Sequence, residues 1–349
     1  MDKPSSRYKH LLLIRLSALG DIAMVPHAVR AVRARYPDLR ITILSRGGLE
    51  PLFEGLDVEF VVVDMESLRR GWFAGYRDLA RKIADLGVDA VADLHDVIRT
   101  KLMRIFLRRY NVAIRHIDKG HDEKKRCLNG ACNGEHTPLR HTVTRYCDVI
   151  RRLGFEFDDP QPATKIAHPN PMPFDKGAGE QWVGVAPFSA NEGKCYPLPL
   201  VSRLVAQLAE RYDRIFIHTG PGQELEFADQ MERAHANVVG VFNRVKLADE
   251  IDLIANEDCI VTMDSFAMHI AALTATPSVS VWGATHPSLG YSGYGTSAKN
   301  HVQLGNVECR PCSSYGNKEC RFGDYRCMTQ IDPSQVADRV AAIIDECRN

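Results

Sequence analysis

Two features that would assign the chain to a particular class are missing from it. No stretch of the 349 residues approaches the roughly 18 consecutive apolar residues that a membrane-spanning helix requires. The 44 basic residues are balanced by 44 acidic ones, so the basic excess of a dedicated nucleic-acid-binding protein is also absent. We therefore expect a cytoplasmic protein without a nucleic-acid partner, in which any recognition of phosphate is local.

Cysteine, in contrast, is abundant. The ten cysteines are spread through a long chain with an α/β pattern, and they do not form the compact framework of a small secreted domain. Reduced thiols are therefore the default expectation.

Short apolar runs alternate with helix-like segments in both halves of the chain, which predicts two parallel sheets that are covered on both faces. The proline-rich residues 158–180 separate the two series. They predict an N-terminal domain at 1–157, a linker, and a C-terminal domain at 181–349, and they leave open whether the C-terminal helix packs back on the first domain. The expected strands are Leu11–Leu16, Ile41–Ser45, Glu59–Val63, Ala90–Leu94, Val112–Ile114, Val183–Ala186, Arg214–His218, Val238–Val241, Cys259–Thr262 and Val279–Trp282.

The segment 258–287 carries the strongest signal in the second half. It reads as a strand, a polar turn at Asp264 and Ser265, a helix and a second strand. The carboxyl ends of both strands aim at one place, where free amide groups at the helix start could bind a diphosphate. Taken alone, these residues favour the simpler interpretation, a core βαβ unit with a helix cap and no ligand.

The first turn of the chain offers a second candidate. Asp21 follows a strand and a short turn and opens a helix, and no G-x-G-x-x-G fingerprint of dinucleotide binding is present there. Asp21 is either a helix cap worth about 1 kcal/mol or a general base.

Five blocks follow one another along nearly the whole chain. They are RLSALGDIAMVPHAVRAVRARYPDLRITILSRGG, DLHDVIRTKLMRIFLRR, VGVAPFSANEGKCYPLP, FIHTGPGQELE and VTMDSFAMHIAALTATPSVSVWGATHP. In this order and spacing they resemble glycosyltransferase family 9, the heptosyltransferases of lipopolysaccharide core assembly. The resemblance implies an α/β protein of the GT-B fold, in which two Rossmann-like doubly wound domains face each other across a cleft. The first domain would hold the acceptor and the second a nucleotide-sugar donor.

The same resemblance implies roles for individual residues. Asp21 matches the family's catalytic aspartate, which takes the proton from the acceptor hydroxyl. The implied donor-binding residues are Ser189, Lys194, Glu224, Asp264, Ser265 and His269. Without the resemblance, Lys194 would be an ordinary loop lysine and Glu224 a first-turn helix acid. Phe266 departs from the family pattern, which has glycine or a residue close to it after the Ser or Thr.

On the acceptor side, the candidates are Asp93, His95 and Arg99, which lie at a strand end and the following helix start, and Arg99 is the foremost of them. The stretch 99–126 interleaves basic and apolar residues. This pattern suits an anionic, lipid-linked saccharide at a membrane surface, although a helix with a solvated basic face is the commoner explanation.

Two groups of cysteines require a test for metal binding. Cys309, Cys312, Cys320 and Cys327 could supply four thiolates to a zinc ion, but their spacing is not that of paired C-x-x-C motifs. A second group, Cys127, Cys132, His136 and His141, has poor spacing in a polar loop. The chain also lacks the Asp-x-Asp motif by which many other glycosyltransferases hold a divalent ion. We therefore expect no metal and no cofactor. A metal ion bound by the first group is the weaker alternative, and a disulfide or free thiols also stay open for these four cysteines.

The function that the resemblance implies is inverting, metal-independent transfer of a sugar from a nucleotide diphosphate to a phosphorylated glycolipid. ADP-heptose is the leading donor, and heptose is the sugar that it would supply. We expect the protein to be a monomer that contacts the cytoplasmic face of the inner membrane peripherally. Two alternatives stay open at this point. One is a sugar-nucleotide epimerase or hydrolase on the same scaffold, and the other is a nucleotide-binding scaffold protein without catalysis.

Overall fold

The computed structural model describes residues 7–70, 72–128, 138–166, 173–305 and 307–348. The chain divides into two compact units. The first comprises residues 1–119 and 142–161, and the second comprises 120–141 and 162–349. The segment 120–141 therefore groups with the second unit, whereas the sequence pattern places it in the first domain.

The strands of the described chain all pair in parallel. They are β1 His10–Ile14, β2 Arg40–Ser45, β3 Glu59–Val62, β4 Ala90–Asp93, β5 Ala113–His116, β6 Trp182–Ala186, β7 Arg214–Ile217, β8 Val238–Gly240, β9 Cys259–Met263, β10 Ser278–Trp282 and β11 His301–Gln303. The ten expected strands are confirmed to within one or two residues at each end.

Helices connect these strands. They are α1 Leu19–Ala23, α2 Val25–Arg35, α3 Met65–Arg70, α4 Trp72–Asp85, α5 Ile98–Leu107, α6 His121–Arg126, α7 Thr142–Arg151, α8 Leu198–Ala209, α9 Gln223–Ala234, α10 Leu247–Asn256, α11 Phe266–Thr274, α12 Arg326–Thr329 and α13 Pro333–Arg348. Within the described residues, none of the helices is both long enough and apolar enough to cross a membrane.

In the first unit the described strands form a sheet in the order β3-β2-β1-β4-β5. Every residue of β1 is buried, because helices cover both faces of the sheet and leave no solvent side for an alternating polar residue. Leu12, Ile14 and Val91 of the sheet pack with Met103 and Leu107 of α5. This packing fixes the turn after β1 and the start of α5 against one sheet edge.

In the second unit the order is β11-β10-β9-β6-β7-β8. Strand β9 lies between β10 and β6, so the turns that follow these three strands lie side by side. The sequence pattern missed β11, which is a three-residue edge strand with polar residues at both ends and therefore has no apolar run.

The C-terminal helix α13 packs its apolar face into the core of the second unit. Val336, Val340 and Ile344 are buried there together with Val261 of β9 and Val281 of β10. The contacts described for this helix thus lie within the second unit.

A charged cluster is buried at the end of β7. His218 is 5% exposed, and its Nδ1 and Nε2 atoms lie 2.9 Å from Glu250 Oε1 and 2.8 Å from Glu257 Oε1. Residue 184 on β6 must be glycine, because a Cβ atom there would lie 2.2 Å from Glu257 Oε2. Burial by itself would lower the pKa of His218, but the carboxylates of Glu257 and Glu250 outweigh it and raise the pKa to about 10.

This cluster predicts the pH dependence of stability. Because the pKa of His218 is raised from 6.5 to about 10 on folding, its contribution is complete below pH 6.5 and is lost as the pH rises towards 10. We expect the free energy of unfolding to fall over this range with a slope of up to about 1.4 kcal/mol per pH unit. Urea unfolding at several pH values measures the slope.

The substitution His218→Gln should flatten that slope, because glutamine keeps polar contacts to the carboxylates but binds no proton in this range. The matched control is His121→Gln, on an exposed histidine of α6, which should leave the slope unchanged. An equally steep slope in His218→Gln would assign the pH dependence to other groups.

Candidate functional site

In the second unit, the turns after β6, β9 and β10 meet at Asp264. This residue follows β9 directly and is 6% exposed. Its Oδ2 atom lies 2.9 Å from Lys194 Nζ and accepts a hydrogen bond of 2.9 Å from Thr285 Oγ1. The two strands within 258–287 are thus confirmed to aim their carboxyl ends at one place, because Asp264, after β9, directly contacts Thr285, after β10.

The loop after β6 is attached to the same point. Ser189 Oγ donates a hydrogen bond of 2.9 Å to the backbone oxygen of Asp264. Gly193 O accepts a bond of 2.8 Å from the amide of Ala284, and a Cβ at residue 193 would come within 2.8 Å of the Ala284 side chain. Ser189 therefore holds the loop that carries Lys194.

Lys194 brings a positive charge to this site. Its side chain is 13% exposed, and its ammonium group lies 5.8 Å from the centre of the Tyr291 ring. The buried carboxylate of Asp264 would repel a diphosphate, so its role is to hold Lys194 and the turn in place. Sequence reasoning missed Thr285 and Tyr291, although Thr285 also lies in a turn directly after a strand.

The start of α11 leaves its backbone amides available. Ser265 is the N-cap residue, but its side chain makes no capping hydrogen bond. Its hydroxyl oxygen is buried, and it has no hydrogen-bond partner in the part of the chain that the structure describes. Phe266 is the first residue of the helix and is partly exposed, whereas His269, one turn further on, is 5% exposed. An uncapped helix start beside a lysine suits an anionic ligand.

Glu224 lies in the first turn of α9, after the neighbouring strand β7. Its Oε2 atom accepts a hydrogen bond of 2.7 Å from the amide of Gly220. Gly222 before the helix has φ +73°, a conformation that favours glycine. Glu224 thus closes the 218–224 loop over the carboxyl end of β7.

In the first unit, Asp21 is the third residue of α1. Its Oδ2 atom accepts a hydrogen bond of 3.3 Å from the amide of Ala18 and forms an ion pair with Arg15. The side chain of Asp21 remains 34% exposed, and its backbone oxygen accepts a bond of 3.1 Å from Tyr146 Oη. The carboxylate therefore caps the helix and still has an exposed surface for a substrate.

Arg15 was not recognised from the sequence. It follows β1 directly, is 7% exposed, and donates a hydrogen bond of 2.6 Å to Leu94 O. Its guanidinium group lies 5.9 Å from the centre of the Tyr146 ring. These contacts fix the guanidinium group, which in turn orients Asp21. Its place in the turn after the first strand is the signal that could have revealed it.

His95 lies beside this pair. Its Nε2 atom is 3.2 Å from Ser17 Oγ, and the residue is only 4% exposed. Burial, together with the charges of Arg15 and Lys119, lowers the pKa of His95 to about 3. Its Nδ1 atom is buried without a hydrogen-bond partner among the described residues. His95 is therefore a buried, neutral side chain with one ring nitrogen that the described residues leave without a hydrogen bond.

Asp93 is fully buried and serves the turn after β4. Its Oδ1 atom accepts hydrogen bonds of 2.9 Å from the amides of His95 and Asp96. Its Oδ2 atom lies 3.2 Å from Arg104 Nη1. Because Asp93 is 0% exposed, it has no surface for direct contact with an acceptor. Its hydrogen bonds instead hold the turn that carries His95.

Two further cations lie at this edge of the sheet. Arg99, in the first turn of α5, is partly exposed and has no salt-bridge partner in the described ranges. Lys119 Nζ donates a hydrogen bond of 3.3 Å to Asp96 O. Burial, and then the charge of Arg15, lowers the pKa of Lys119. Arg99 and Lys119, together with Arg15, place positive charge around Asp21 and His95. This arrangement suits a phosphorylated ligand.

The cysteines do not form a metal centre in the described chain. Cys309, Cys312, Cys320 and Cys327 line one cavity of about 300 Å³. No group of three or more His, Cys, Asp or Glu side chains among the described residues is arranged to hold a metal ion. In the second group, His141 Nε2 lies 2.8 Å from Ser292 O. Cys132 and His136 lie outside the described residues.

The expectation of reduced thiols is wrong at Cys127, which is disulfide-bonded. The other described cysteines are free thiols. Chain-wide composition gave no signal for this bond.

Solved structures share this architecture along the whole chain. The glycosyltransferase family 9 protein of Veillonella parvula superposes with a TM-score of 0.74 at 17% identity, covering 99% of this chain and 100% of that one. The ADP-heptose lipopolysaccharide heptosyltransferase II of Escherichia coli gives a TM-score of 0.70 at 18% identity, covering 97% and 100%. The expected fold class is confirmed: the two doubly wound units have the GT-B fold.

The sequence comparison specifies the family. Residues 77–324 match the model of glycosyltransferase family 9 (heptosyltransferase). Lipopolysaccharide heptosyltransferase 1 of Pseudomonas aeruginosa is 26% identical over 360 residues, covering 96% of this chain and 98% of that protein. Its counterpart in Escherichia coli is 21% identical over 295 residues, covering 82% of this chain and 91% of that protein. The chain belongs to glycosyltransferase family 9 and is a glycosyltransferase, as the resemblance implies.

Proposed function

We propose that this chain is an inverting, metal-independent heptosyltransferase. It moves heptose from ADP-heptose to the phosphorylated inner core of lipopolysaccharide. Family membership supports sugar transfer, and similar proteins of Pseudomonas aeruginosa and Escherichia coli are named lipopolysaccharide heptosyltransferase 1. A similar solved structure from Escherichia coli is named as an ADP-heptose enzyme.

One observation carries the proposal: the partly exposed carboxylate of Asp21, which Arg15 orients beside a group of cations. In the proposed step, Asp21 takes the proton from an acceptor hydroxyl while the hydroxyl oxygen bonds to the anomeric carbon of the donor. The bond from that carbon to the diphosphate oxygen breaks on the opposite face, and the diphosphate leaves with the electron pair. The configuration at the anomeric carbon is therefore inverted.

On the donor side, Lys194 and the amides at the start of α11 offset the negative charge that develops on the leaving diphosphate. The unbonded Ser265 hydroxyl donates a further hydrogen bond to it. This fixed positive charge supplies what a divalent ion would otherwise provide. In the same proposal, Glu224 binds the ribose hydroxyls, while Ser189 and Asp264 hold the loops and His269 supports the helix start.

On the acceptor side, Arg99 contacts a phosphate group of the saccharide and His95 offers its free Nδ1 atom to a sugar hydroxyl. Asp93 positions His95 through the amide that it binds. The enzyme would act as a monomer at the cytoplasmic face of the inner membrane, where a lipid-linked acceptor is within reach.

The test is a transfer assay with a panel of nucleotide sugars, in the presence and absence of a deacylated inner-core acceptor. We expect transfer from ADP-heptose only when acceptor is present, with an inverted anomeric signal by NMR and undiminished rate in EDTA. Release of free heptose, or of an epimer, without acceptor would favour the hydrolase or epimerase alternative. A complete loss of rate in EDTA would contradict metal independence.

A further inference from the structure

Helix α5 has apolar side chains on both of its faces. Thr100, Met103 and Leu107 are buried against the first sheet. On the opposite face, Ile98 and Ile105 are 73% and 55% exposed. They lie seven residues apart and thus two helical turns apart on one side of the helix. An amphipathic surface helix normally carries polar residues at such positions, so these isoleucines require an explanation.

The neighbouring helix extends this apolar surface. Phe73 of α4 is 67% exposed, and its ring lies 6.2 Å from that of Phe106 on α5, edge to face. The guanidinium group of Arg109 lies 5.9 Å from the centre of the Phe106 ring. We call the surface formed by Phe73, Ile98, Ile105, Arg108 and Arg109 the α5 face.

The charge on the segment that contains α5 is of one sign. Residues 97–117 contain six arginines or lysines and no aspartate or glutamate, in a chain with zero formal net charge. Arg108 and Arg109 are exposed and have no salt-bridge partner in the chain as described. Exposed apolar side chains flanked by unpaired arginines match the interfacial region of an anionic bilayer, which offers acyl chains below a layer of phosphates.

A second copy of the chain is a poorer occupant. In a two-fold dimer the same patch faces itself, so Arg108 and Arg109 would approach their own copies without an acid in 97–117 to neutralise them. An anionic lipid surface meets both the charge and the apolar residues.

We infer that the α5 face docks the enzyme on an anionic lipid bilayer, with Phe73, Ile98 and Ile105 inserted among the headgroups and Arg108 and Arg109 on the lipid phosphates. The inference rests on the proposed function, because docking serves an enzyme whose lipid-linked acceptor lies in the bilayer surface. Ile98 adjoins Arg99, so docking brings the acceptor residues of the first unit to the membrane. Vesicle binding itself does not require that sugar transfer occurs.

The experiment is co-sedimentation of the full chain with vesicles of phosphatidylethanolamine and phosphatidylglycerol, compared with phosphatidylcholine alone. We expect binding to the anionic vesicles, weakened by salt. Ile98→Ser/Ile105→Ser should reduce it roughly tenfold. Arg108→Gln/Arg109→Gln should reduce it by about fivefold per arginine. The matched controls are Ile166→Ser, at an isoleucine that is 60% exposed in the second unit, and Arg211→Gln.

Three readouts decide the outcome. Equal binding to both vesicle types, or unchanged binding by the isoleucine variant, would overturn the inference. A dimer in light scattering without lipid that the isoleucine variant dissociates would also overturn it and assign the face to a second copy. Transfer to a water-soluble acceptor should be the same in these variants and the wild type. Failure of transfer in the wild type would count against the proposed function while leaving the vesicle result intact.

Discussion

Replacement of Asp21 by asparagine is expected to lower the rate of sugar transfer by about 10²–10⁴-fold, with little change in binding of the donor. Asparagine has nearly the same shape, and its side-chain oxygen can still accept the hydrogen bond from Ala18 N that caps α1. It cannot take a proton from an acceptor hydroxyl. The substitution therefore separates the base from the cap, the two roles that the sequence leaves open for this residue.

The same variant should be modestly less stable, because Arg15 is 7% exposed and loses a charged partner. Hydrogen bonds between charged groups contribute about 1.5–3 kcal/mol, and the partial exposure of Asp21 places the cost at the lower end. Thermal unfolding measures this cost, while calorimetry with the donor and initial transfer rates measure the functional effect.

Asp249→Asn is the matched control. Asp249 also lies in the first turn of its helix, α10, and its Oδ2 atom accepts a bond of 3.3 Å from the amide of Lys246. This contact has the same length and helix position as that of Asp21, so the control should retain transfer. If Asp21→Asn transferred sugar at the wild-type rate, capping of α1 would be the only role left for Asp21.

Replacement of Lys194 by methionine is expected to reduce transfer by about 10²–10³-fold and to weaken donor binding. The ammonium group pairs with Asp264, which directly precedes the uncapped start of α11 in the proposed donor site. Methionine keeps the length and apolar stem of the side chain but removes that charge. It also leaves the buried carboxylate of Asp264 with Thr285 as its remaining described side-chain partner, so stability should fall as well.

The double variant Lys194→Met/Asp264→Asn distinguishes a structural from a chemical role for the lysine. Asparagine removes the unpaired buried charge and can still accept the hydrogen bond from Thr285, so stability should recover in part. Transfer should stay low, because no positive charge is restored. Recovery of both properties would limit Lys194 to pairing with Asp264.

Lys176→Met is the control for this pair. Lys176 Nζ lies 2.9 Å from Asp258 Oδ2, and its side chain is 19% exposed, so the ion pair resembles that of Lys194 in length and in the burial of its lysine. The control should lose stability without losing transfer. An equal loss of transfer would show that the effect of Lys194→Met follows from general weakening of the second unit.

The fold could be predicted from the sequence because its strands are continuously apolar. Strands such as β1 and β9 are buried on both faces, and their length follows from the apolar run alone. The exception is β11, a short edge strand that is defined by pairing with β10 and has no pattern of its own. The residues of the candidate site were predicted in part, since strand ends and helix starts indicate where polar side chains gather.

The contacts between those residues could not be predicted in the same way. The burial of Asp93 depends on Arg104 and on the turn amides that it binds, and the role of Arg15 depends on Leu94 and on Tyr146, far along the chain. Likewise, Asp264 is held by Lys194 and Thr285, which follow two different strands.

Periodicity and turn residues therefore determined the α/β class, the strand positions and the candidate aspartate, because each depends on interactions over a few residues. The tertiary structure decided which of the polar residues support a turn and which keep a surface for ligands. It also placed exposed isoleucines on the outer face of α5. These properties depend on side chains brought together from distant parts of the chain, where burial and charge pairing set the energy of each contact.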